Sequence, residues 1–188
     1  FHAPATIVLS NPNDYESALR KAYVMADFAE RRQLISTQVA AKGKELGGEA
    51  VISEDLLDEV TALNEWPVAL AGSFDKDFLR VPPEALVSSM KEHQKYFHVV
   101  KDGQLLPNFI TIANIESKDP AQVISGNEKV IRPRLSDAAF FWDTDRKQPL
   151  ESRFPKLESV VWVNGLGSIA DKTRRISALA TKIATEMG

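Results

Sequence analysis

The dipeptide Asp102-Gly103 is the sequence feature that most restricts how this chain folds. It separates two runs rich in apolar and β-branched residues, one over residues 95–100 and the other over residues 105–113. An Asp-Gly pair readily adopts the left-handed backbone angles of a two-residue turn, and that turn pairs its flanking strands in antiparallel order. We therefore predict a β-hairpin here, and with it at least one antiparallel pair of strands.

Local signals predict further strands and helices on both sides of the hairpin. β-branched residues indicate a strand over residues 4–10, and the apolar run after Pro67 indicates a buried strand. Helical spacing predicts one long helix over residues 14–42, followed by a glycine-rich loop over residues 43–50. Caps and prolines predict shorter helices over residues 54–63, 82–93 and 119–125.

The last part of the chain carries a capping signal and an apolar stripe. Residues 160–163 are apolar and form either a strand or the end of a helix. Ser168 with Asp171 is typical of a capping box that begins a helix. Apolar residues then recur at helical spacing and are predicted to form a buried stripe, namely Ile169, Ile176, Leu179, Ile183 and Met187. Gly165 and Gly167 lack the lysine of a phosphate-binding loop, so we interpret them as helix-entry geometry.

Residues 126–145 combine two arginines, a proline and three consecutive aromatic residues. Their apolar residues recur at helical spacing, but a proline inside a helix removes a backbone hydrogen bond and clashes with the preceding turn. We therefore expect the helix to kink or break near Arg132, just before Pro133. If a helix begins again at the proline, Arg132 and Arg134 lie at an exposed corner.

Two interpretations of Arg132 and Arg134 stay open from the sequence. Their planar guanidinium groups suit phosphate or carboxylate, so together with Lys129 they are candidates for contact with RNA. Alternatively, both arginines pair with Asp137 or with acids elsewhere, and they only fix the kink.

A second candidate contact lies where a predicted helix passes into the first strand of the hairpin. His93, Lys95 and Tyr96 bring an imidazole, an ammonium and a phenol close together in the sequence. Such a junction suits stacking on, or hydrogen bonding to, an RNA base. The alternative is a polar helix end in which Tyr96 or Phe97 is buried.

Two further basic groups are weaker candidates. Arg31 and Arg32 follow Glu30 on the long predicted helix, and we interpret this group as a solvated helix face with intrahelical pairs. A fallback group lies on the last helix, and its alternative is a solvated helix face. It consists of Lys172, Arg174 and Arg175.

Charge and residue types argue against several classes of function. A net charge of -3 and a pI near 5.7 argue against a dedicated nucleic-acid module and leave only a local basic patch. The chain has no cysteine, which excludes disulfides and thiol nucleophiles and suits the cytoplasm. Its three histidines, His2, His93 and His98, lack metal-ligand spacing, and the only Ser-Ser pair lacks the glycines of a nucleophile elbow.

The ends and apolar runs of the chain predict its context. No apolar run approaches the length that crosses a bilayer, so we expect no membrane contact. The chain begins with Phe1 rather than Met, so we expect a piece of a longer protein. Residues 1–188 are predicted to form a single domain, with a possible helical extension over residues 148–188.

Short motifs spread in order along the whole chain match a known family. They are Phe1-His2-Ala3-Pro4, Glu59-Val60-Thr61-Ala62-Leu63-Asn64-Glu65-Trp66-Pro67, Gly72-Ser73-Phe74, Phe78-Leu79, Val81-Pro82, His93-Gln94-Lys95-Tyr96-Phe97, Gly126-Asn127-Glu128, Arg134-Leu135-Ser136-Asp137-Ala138 and Leu166-Gly167-Ser168. Together they resemble the beta subunit of bacterial heterotetrameric glycyl-tRNA synthetase, and the resemblance is much stronger than any single motif.

The resemblance implies an activity and partners. That synthetase is a class II enzyme of alpha and beta subunits that joins glycine to its tRNA with ATP. ATP and magnesium bind in the alpha subunit, where glycyl-adenylate forms, so no cofactor is expected in this chain. The implied partners are the alpha subunit, tRNA-Gly and the remainder of the beta chain, and the implied location is the cytoplasm.

The resemblance also implies a fold and a role. This region of the family is similar to the editing-type domain of the phenylalanyl-tRNA synthetase beta subunit, which implies an α+β fold with a mixed, mainly antiparallel sheet flanked by several helices. No catalytic residue carries over, so we expect a noncatalytic part that supports aminoacylation by scaffolding and tRNA contact. The candidate RNA contacts are His93, Lys95, Tyr96, Lys129, Arg132 and Arg134. The alternative is a hydrolytic, editing-like domain that acts on mischarged tRNA.

Overall fold

The structure, a computed structural model, describes residues 6–188. The chain divides into two compact units, Phe1–Ala139 and Phe140–Gly188. The expectation of a single domain, with a helical extension over residues 148–188, stays a prediction. In the part of the chain that the structure describes, no helix is both long and apolar enough to span a membrane.

The first unit contains a four-stranded antiparallel sheet with the strand order β1-β3-β4-β2. Its strands are β1 Glu49–Ala50, β2 Val68–Ser73, β3 Phe97–Lys101 and β4 Gln104–Ala113. The predicted hairpin is confirmed, because β3 and β4 pair on either side of Asp102 and Gly103. These two residues have φ of 51° and 76°, the left-handed angles that the Asp-Gly pair favours. The strand predicted after Pro67 is confirmed as β2, which pairs with β4 along its whole length.

Six α-helices lie in the described residues, so the fold is α+β as predicted. They are α1 Tyr15–Lys21, α2 Phe28–Glu45, α3 Glu54–Leu63, α4 Pro83–Ser88, α5 Pro120–Asp145 and α6 Ile169–Met187. Helix α4 continues as a π-helical turn, Ser89–His93. Shorter 3-10 helices are Pro12–Asp14, Lys76–Arg80 and Leu150–Ser159.

The core of the first unit is built by α2, α3 and the two strands of the hairpin. Ile35 of α2, Leu57 of α3, Phe97 of β3 and Ile110 of β4 are all between 0 and 2% exposed and belong to one cluster. Burial of such side chains is the main favourable contribution to folding. The predicted hairpin thus supplies part of the core of this unit.

The single helix predicted over residues 14–42 is wrong, because α1 and α2 are separated by a break. Tyr23 adopts φ 62°, after the end of α1, and the amide of Met25 donates to a carbonyl in the loop after α3 at 3.0 Å. Asp27 then caps α2, since its side chain accepts from the Glu30 amide at 2.7 Å. The Asp27-x-x-Glu30 pair is a capping signal that the helical periodicity concealed.

Arg31 and Arg32 both have structural partners. The Arg31 guanidinium donates to the Met25 carbonyl at 2.5 Å, which fixes the chain between α1 and α2. Arg32 pairs with Glu54 and, at 2.6 Å, with Asp58, both on α3. The interpretation as a solvated helix face with intrahelical pairs is therefore wrong, because Arg31 and Arg32 are half-buried and bond to the loop before α2 and to α3.

Two predicted segments near the start of the chain need correction. A strand was predicted over residues 4–10, but residues 6–10 form none. Residues 4 and 5 lie outside the described residues, and so does the candidate His2. The loop predicted over residues 43–50 is only partly a loop, because α2 continues to Glu45. A Cβ at Gly43 would lie 2.5 Å from the Ala50 amide nitrogen, so the glycine allows α2 to approach β1 closely.

Helix α5 is continuous from Pro120 to Asp145, with Pro133 inside it. Neither the helix end predicted at residue 125 nor a break near Arg132 occurs. The buried residues of α5 are Ile131, Leu135 and Ala139. Because this burial continues at helical spacing across the proline, packing offsets the cost of the lost backbone hydrogen bond.

The second unit contains a short β-hairpin followed by α6. Strands β5 Val161–Val163 and β6 Gly167–Ser168 pair antiparallel, so the strand alternative for residues 160–163 is confirmed. The capping box is confirmed too, since the Ser168 hydroxyl accepts from the Asp171 amide at 3.1 Å and the Asp171 carboxylate accepts from the Ser168 amide at 2.9 Å. The Asp171 carboxylate accepts from both the amide and the hydroxyl of Ser168, and these two hydrogen bonds, led by the one from the amide, hold the pKa of Asp171 below its usual value.

The buried stripe predicted on α6 is wrong. Ile176 is 55% exposed, Leu179 59% and Ile183 47%, while Ala170 is the buried residue of this helix. The periodicity of the helix is as predicted, but no other part of residues 140–188 covers its apolar side.

Candidate nucleic-acid interface

The cations predicted in residues 126–145 lie on α5, but they do not share one side of it. Lys129, Arg132 and Arg134 are all exposed. Successive helical residues are rotated by about 100°, so Lys129 and Arg132 lie about 60° apart around the axis, whereas Arg132 and Arg134 lie about 160° apart. The continuous helix therefore joins Lys129 with Arg132 and separates Arg134 from both.

The side chains of these three cations have no structural partner within residues 6–188. The alternative in which Arg132 and Arg134 pair with Asp137 or another acid is thus not seen in the described part. An unpaired surface guanidinium or ammonium is free to bind an anion without first breaking an existing pair. We define Lys129 and Arg132 as the α5 cation pair.

An open depression of about 310 Å³ lies beside Arg132. Its lining consists of Ser73, Phe74, Asp75, Phe78, Glu128 and Arg132. The Glu128 carboxylate accepts hydrogen bonds from both the amide and the hydroxyl of Ser73 at 2.9 Å, which fixes the end of β2 to α5. Arg132 lies one helical turn beyond Glu128 and so borders the same depression.

His93, Lys95 and Tyr96 do not form the open junction that the sequence predicted for binding a base. His93 is exposed, while Lys95 adopts φ 58° and its ammonium pairs with Glu59 at 2.8 Å. Tyr96 is 2% exposed and Phe97 is fully buried, so the alternative of buried rings is confirmed. Neither ring offers an open face on which a base could stack.

Tyr96 instead links the sheet to α5. Its ring stacks on Phe109 with centroids 4.5 Å apart and planes inclined by 13°. Its hydroxyl donates to the Asn127 side-chain carbonyl at 2.5 Å, and the Asn127 amide donates in turn to the Val123 carbonyl at 2.8 Å. Asn127 lies two residues before Lys129 and therefore about 160° away from it around the axis of α5. The link thus fastens the side of α5 that lies opposite the α5 cation pair, and the two predicted contact regions do not share one side of the helix.

Burial raises the pKa of Tyr96 to about 12, so stability is expected to depend on Tyr96 at alkaline pH. The phenol of an unfolded chain has a pKa of about 10, so the unfolded state alone loses this proton between about pH 10 and 12. The free energy of unfolding therefore keeps its full contribution from Tyr96 below pH 10. It falls by about 2 kcal/mol as the pH rises from 10 to 12.

The Tyr96→Phe variant tests this dependence, with urea unfolding measured at pH 7 and at pH 11.5 or above. At pH 7 the variant is expected to be less stable by about 1 kcal/mol, because the hydrogen bond to Asn127 is lost. At the alkaline pH the order is expected to reverse, since phenylalanine has no proton to lose. A variant that stays less stable by the same amount at both values would contradict the burial of this phenol.

The fallback basic group on α6 is mostly occupied. Arg174 pairs with Glu158 at 2.6 Å and with Asp171 at 3.0 Å. The Lys172 ammonium lies 3.2 Å from the centroid of the Trp162 ring. Arg174 and Arg175 are exposed and Lys172 is half-buried, so the alternative of a solvated helix face fits two of the three residues.

Sequence reasoning missed Ser73, Asn127 and Glu128 as residues that build this site. Ser73 and Glu128 are separated by 55 positions, so no local pattern connects them. A signal did exist, because Gly72-Ser73-Phe74 and Gly126-Asn127-Glu128 were both among the family motifs. Motifs distant in sequence that contact each other in the fold are typical of a shared structural role.

The described residues contain no group of three or more His, Cys, Asp or Glu side chains arranged to hold a metal ion. The fold and the site define an α+β module with an open, charged helix surface beside a polar depression. This geometry suits contact with a macromolecule better than enclosure of a small molecule.

Comparison with known proteins gives the family. The profile of the family described as glycyl-tRNA synthetase beta subunit matches residues 1–188. The glycine–tRNA ligase beta subunit of Marinobacter nauticus is 64% identical over 187 residues, which cover 98% of this chain and 27% of that protein. Those of Chromohalobacter salexigens and Hahella chejuensis are 59% and 57% identical over all of this chain, covering 28% and 27% of the relatives.

The chain belongs to the glycyl-tRNA synthetase beta subunit family, as the resemblance of its motifs predicted. It spans little more than a quarter of the length of the relatives that it matches.

Proposed function

We propose that this chain is a noncatalytic part of a glycine-tRNA ligase beta subunit and supports the ATP-dependent aminoacylation of tRNA-Gly. The family match over residues 1–188 supports this proposal. The chain acts as a scaffold for the alpha subunit and the remainder of the beta chain, and it contacts tRNA. ATP and magnesium are bound by the alpha subunit, and the assembly works in the cytoplasm. Residues 1–188 serve as one domain of the longer chain, with residues 148–188 as its helical extension.

The α5 cation pair is the observation that carries the proposed tRNA contact. Lys129 and Arg132 are exposed, lie on one side of α5 and have no acidic partner in the described residues. His93, which is exposed at the end of the π-helical turn before β3, is a further part of the proposed contact. Lys95 and Tyr96 position the junction through their bonds to Glu59 and Asn127. A local basic patch of this kind can bind phosphate groups although the net charge of the chain is -3.

Titration of the 188-residue chain with tRNA-Gly at low and moderate salt tests the contact. We expect saturable binding that weakens with salt. The double substitution Lys129→Ala with Arg132→Ala is expected to weaken binding by about tenfold or more and to lower the salt slope by about 2, since two phosphate contacts are lost.

Arg134→Ala is the matched control, because Arg134 is an exposed cation of the same helix on a different side. It is expected to retain wild-type binding within about twofold. Equal losses from Arg134→Ala and from the double substitution would exclude a contact centred on the α5 cation pair. Absence of binding at low salt would reject the tRNA contact and leave the scaffold role.

A second candidate function is the hydrolysis of mischarged tRNA. It goes with a fold similar to the editing-type domain of the phenylalanyl-tRNA synthetase beta subunit. The observation that favours it is the depression of about 310 Å³ beside the α5 cation pair. Its lining carries the Ser73 hydroxyl and the carboxylates of Asp75 and Glu128, and a carboxylate can position a water for attack on an ester. Release of alanine from alanyl-tRNA-Gly, lost in Glu128→Gln, would support this function. Release no faster than spontaneous hydrolysis would reject it.

A further inference from the structure

The apolar side of helix α6 lies open in the second unit. We call Ile176, Leu179, Ile183 and Met187 the α6 apolar face. These residues are spaced by three or four positions and so fall within an arc of about 80° around the helix. Their exposed fractions range from 47 to 82%. One continuous apolar stripe of this kind on a helix is typical of a surface that another element covers.

The second unit cannot bury this face by itself. Within residues 140–188, Ala170 is the one buried residue. An apolar groove of about 520 Å³ lies in the same unit, lined by Leu150, Glu151, Arg153, Phe154, Leu157 and Thr173. Thr173 places this groove next to the first turns of α6. The groove and the α6 apolar face together offer a surface long enough for a helix to pack on.

The charges beside the face are mixed. Arg175, Lys182 and Glu186 lie within about 40° of one another along one edge of the stripe, and all three are exposed. Lys182 pairs with Glu186 at 4.0 Å. An acidic residue on the occupant would complement Arg175.

The length of the relatives indicates where such a helix comes from. The chain matches only 27 to 28% of each relative, so close to three quarters of a beta subunit lies outside the matched region. We propose that the α6 apolar face binds an amphipathic helix from this remaining part of the beta chain. The inference rests on the proposed function, since it names the surface through which the chain acts as a scaffold and the segment that binds there.

Cysteine labelling tests the inference in a beta chain of the relatives' full length that carries this sequence and whose other cysteines are replaced by serine. The 188-residue chain itself contains no cysteine, so a single introduced thiol reports on one position. Ile183→Cys places the thiol on the α6 apolar face. Thr185→Cys is the matched control, because residue 185 lies opposite this face on the same helix. The labelling rates with N-ethylmaleimide are compared by mass spectrometry.

In the 188-residue chain the two thiols are expected to react at similar rates. In the full-length beta chain, without the alpha subunit, the Ile183→Cys thiol is expected to react at least about tenfold more slowly than the control. Equal rates in the full-length chain would overturn the inference. So would protection that requires the alpha subunit, or protection that rises with the concentration of the 188-residue chain, since these identify a different occupant.

The Ile183→Asp variant gives a second measurement. It is expected to leave the 188-residue chain as helical and as stable as the wild type, because the position is exposed there. In the full-length beta chain the same change is expected to increase amide hydrogen exchange in α6 by about tenfold or more, because a carboxylate is forced into a covered apolar contact. Neither measurement involves tRNA or aminoacylation, so failure here is distinguishable from failure of the proposed function.

Discussion

Phe109→Ala is expected to destabilise the first unit by about 3–5 kcal/mol, the range for removal of a fully buried aromatic ring. Phe109 is 0% exposed and lies opposite Gly72 on the neighbouring strand. The ring also stacks on Tyr96, which holds α5 through Asn127, so the substitution leaves a cavity and loosens the link to the candidate site. Amide hydrogen exchange of β3 and β4 in the 188-residue chain measures the loss within this unit.

Gly72→Ala tests the same contact from the other side. A Cβ at Gly72 would lie 2.4 Å from the Phe109 ring, so the substitution is expected to cost about 1–3 kcal/mol in the wild type. In the Phe109→Ala background the obstacle is gone, and the cost is expected to vanish. Gly126→Ala is the control, because a Cβ there meets nothing within 4 Å and should stabilise α5 by about 0.5–1 kcal/mol. Equal costs of Gly72→Ala in both backgrounds would contradict the contact.

Elements governed by local chemistry were predictable from the sequence. The Asp102-Gly103 turn needs only the backbone freedom of its two residues, and the Ser168 and Asp171 capping box closes within one helical turn. Pro83 marks the start of α4 for the same reason, since proline fits a first turn. These signals act over four residues or fewer, and no distant contact overrides them here, in contrast to the proline at Pro133.

Elements governed by distant contacts were not predictable. The break between α1 and α2 depends on Arg31, which reaches the Met25 carbonyl, and on the Met25 amide, which bonds to Glu65. The exposure of α6 has a related cause. Periodicity specifies which side of a helix is apolar, but it does not specify whether the covering partner belongs to the same stretch of chain. Both errors therefore concern what a helix packs against.

The candidate site was predicted in composition but not in geometry. The interpretation of Arg132 and Arg134 as one exposed corner assumed a helix that begins at Pro133. Continuity of α5 places the two arginines on different sides and gives Lys129 to Arg132 as its neighbour. Tyr96 was predicted as an RNA contact, yet its ring is buried and its hydroxyl bonds to Asn127. Whether the proline interrupts the helix thus decides which cations act together.

Pro133→Ala is expected to stabilise the chain by about 1–3 kcal/mol, up to the difference between proline and alanine in a helix interior. Pro133 is exposed and lies in the middle of α5, where it withholds the amide that would donate to the Lys129 carbonyl. Alanine restores that donor, and since the residue is exposed, no buried contact is lost. Urea unfolding with helicity as the signal measures the gain.

The control is Ser136→Ala, another exposed position of α5, which is expected to change stability by no more than about 0.5 kcal/mol. A loss of stability in Pro133→Ala would mean that the first unit needs a bend at this position, and the pairing of Lys129 with Arg132 would have to be abandoned.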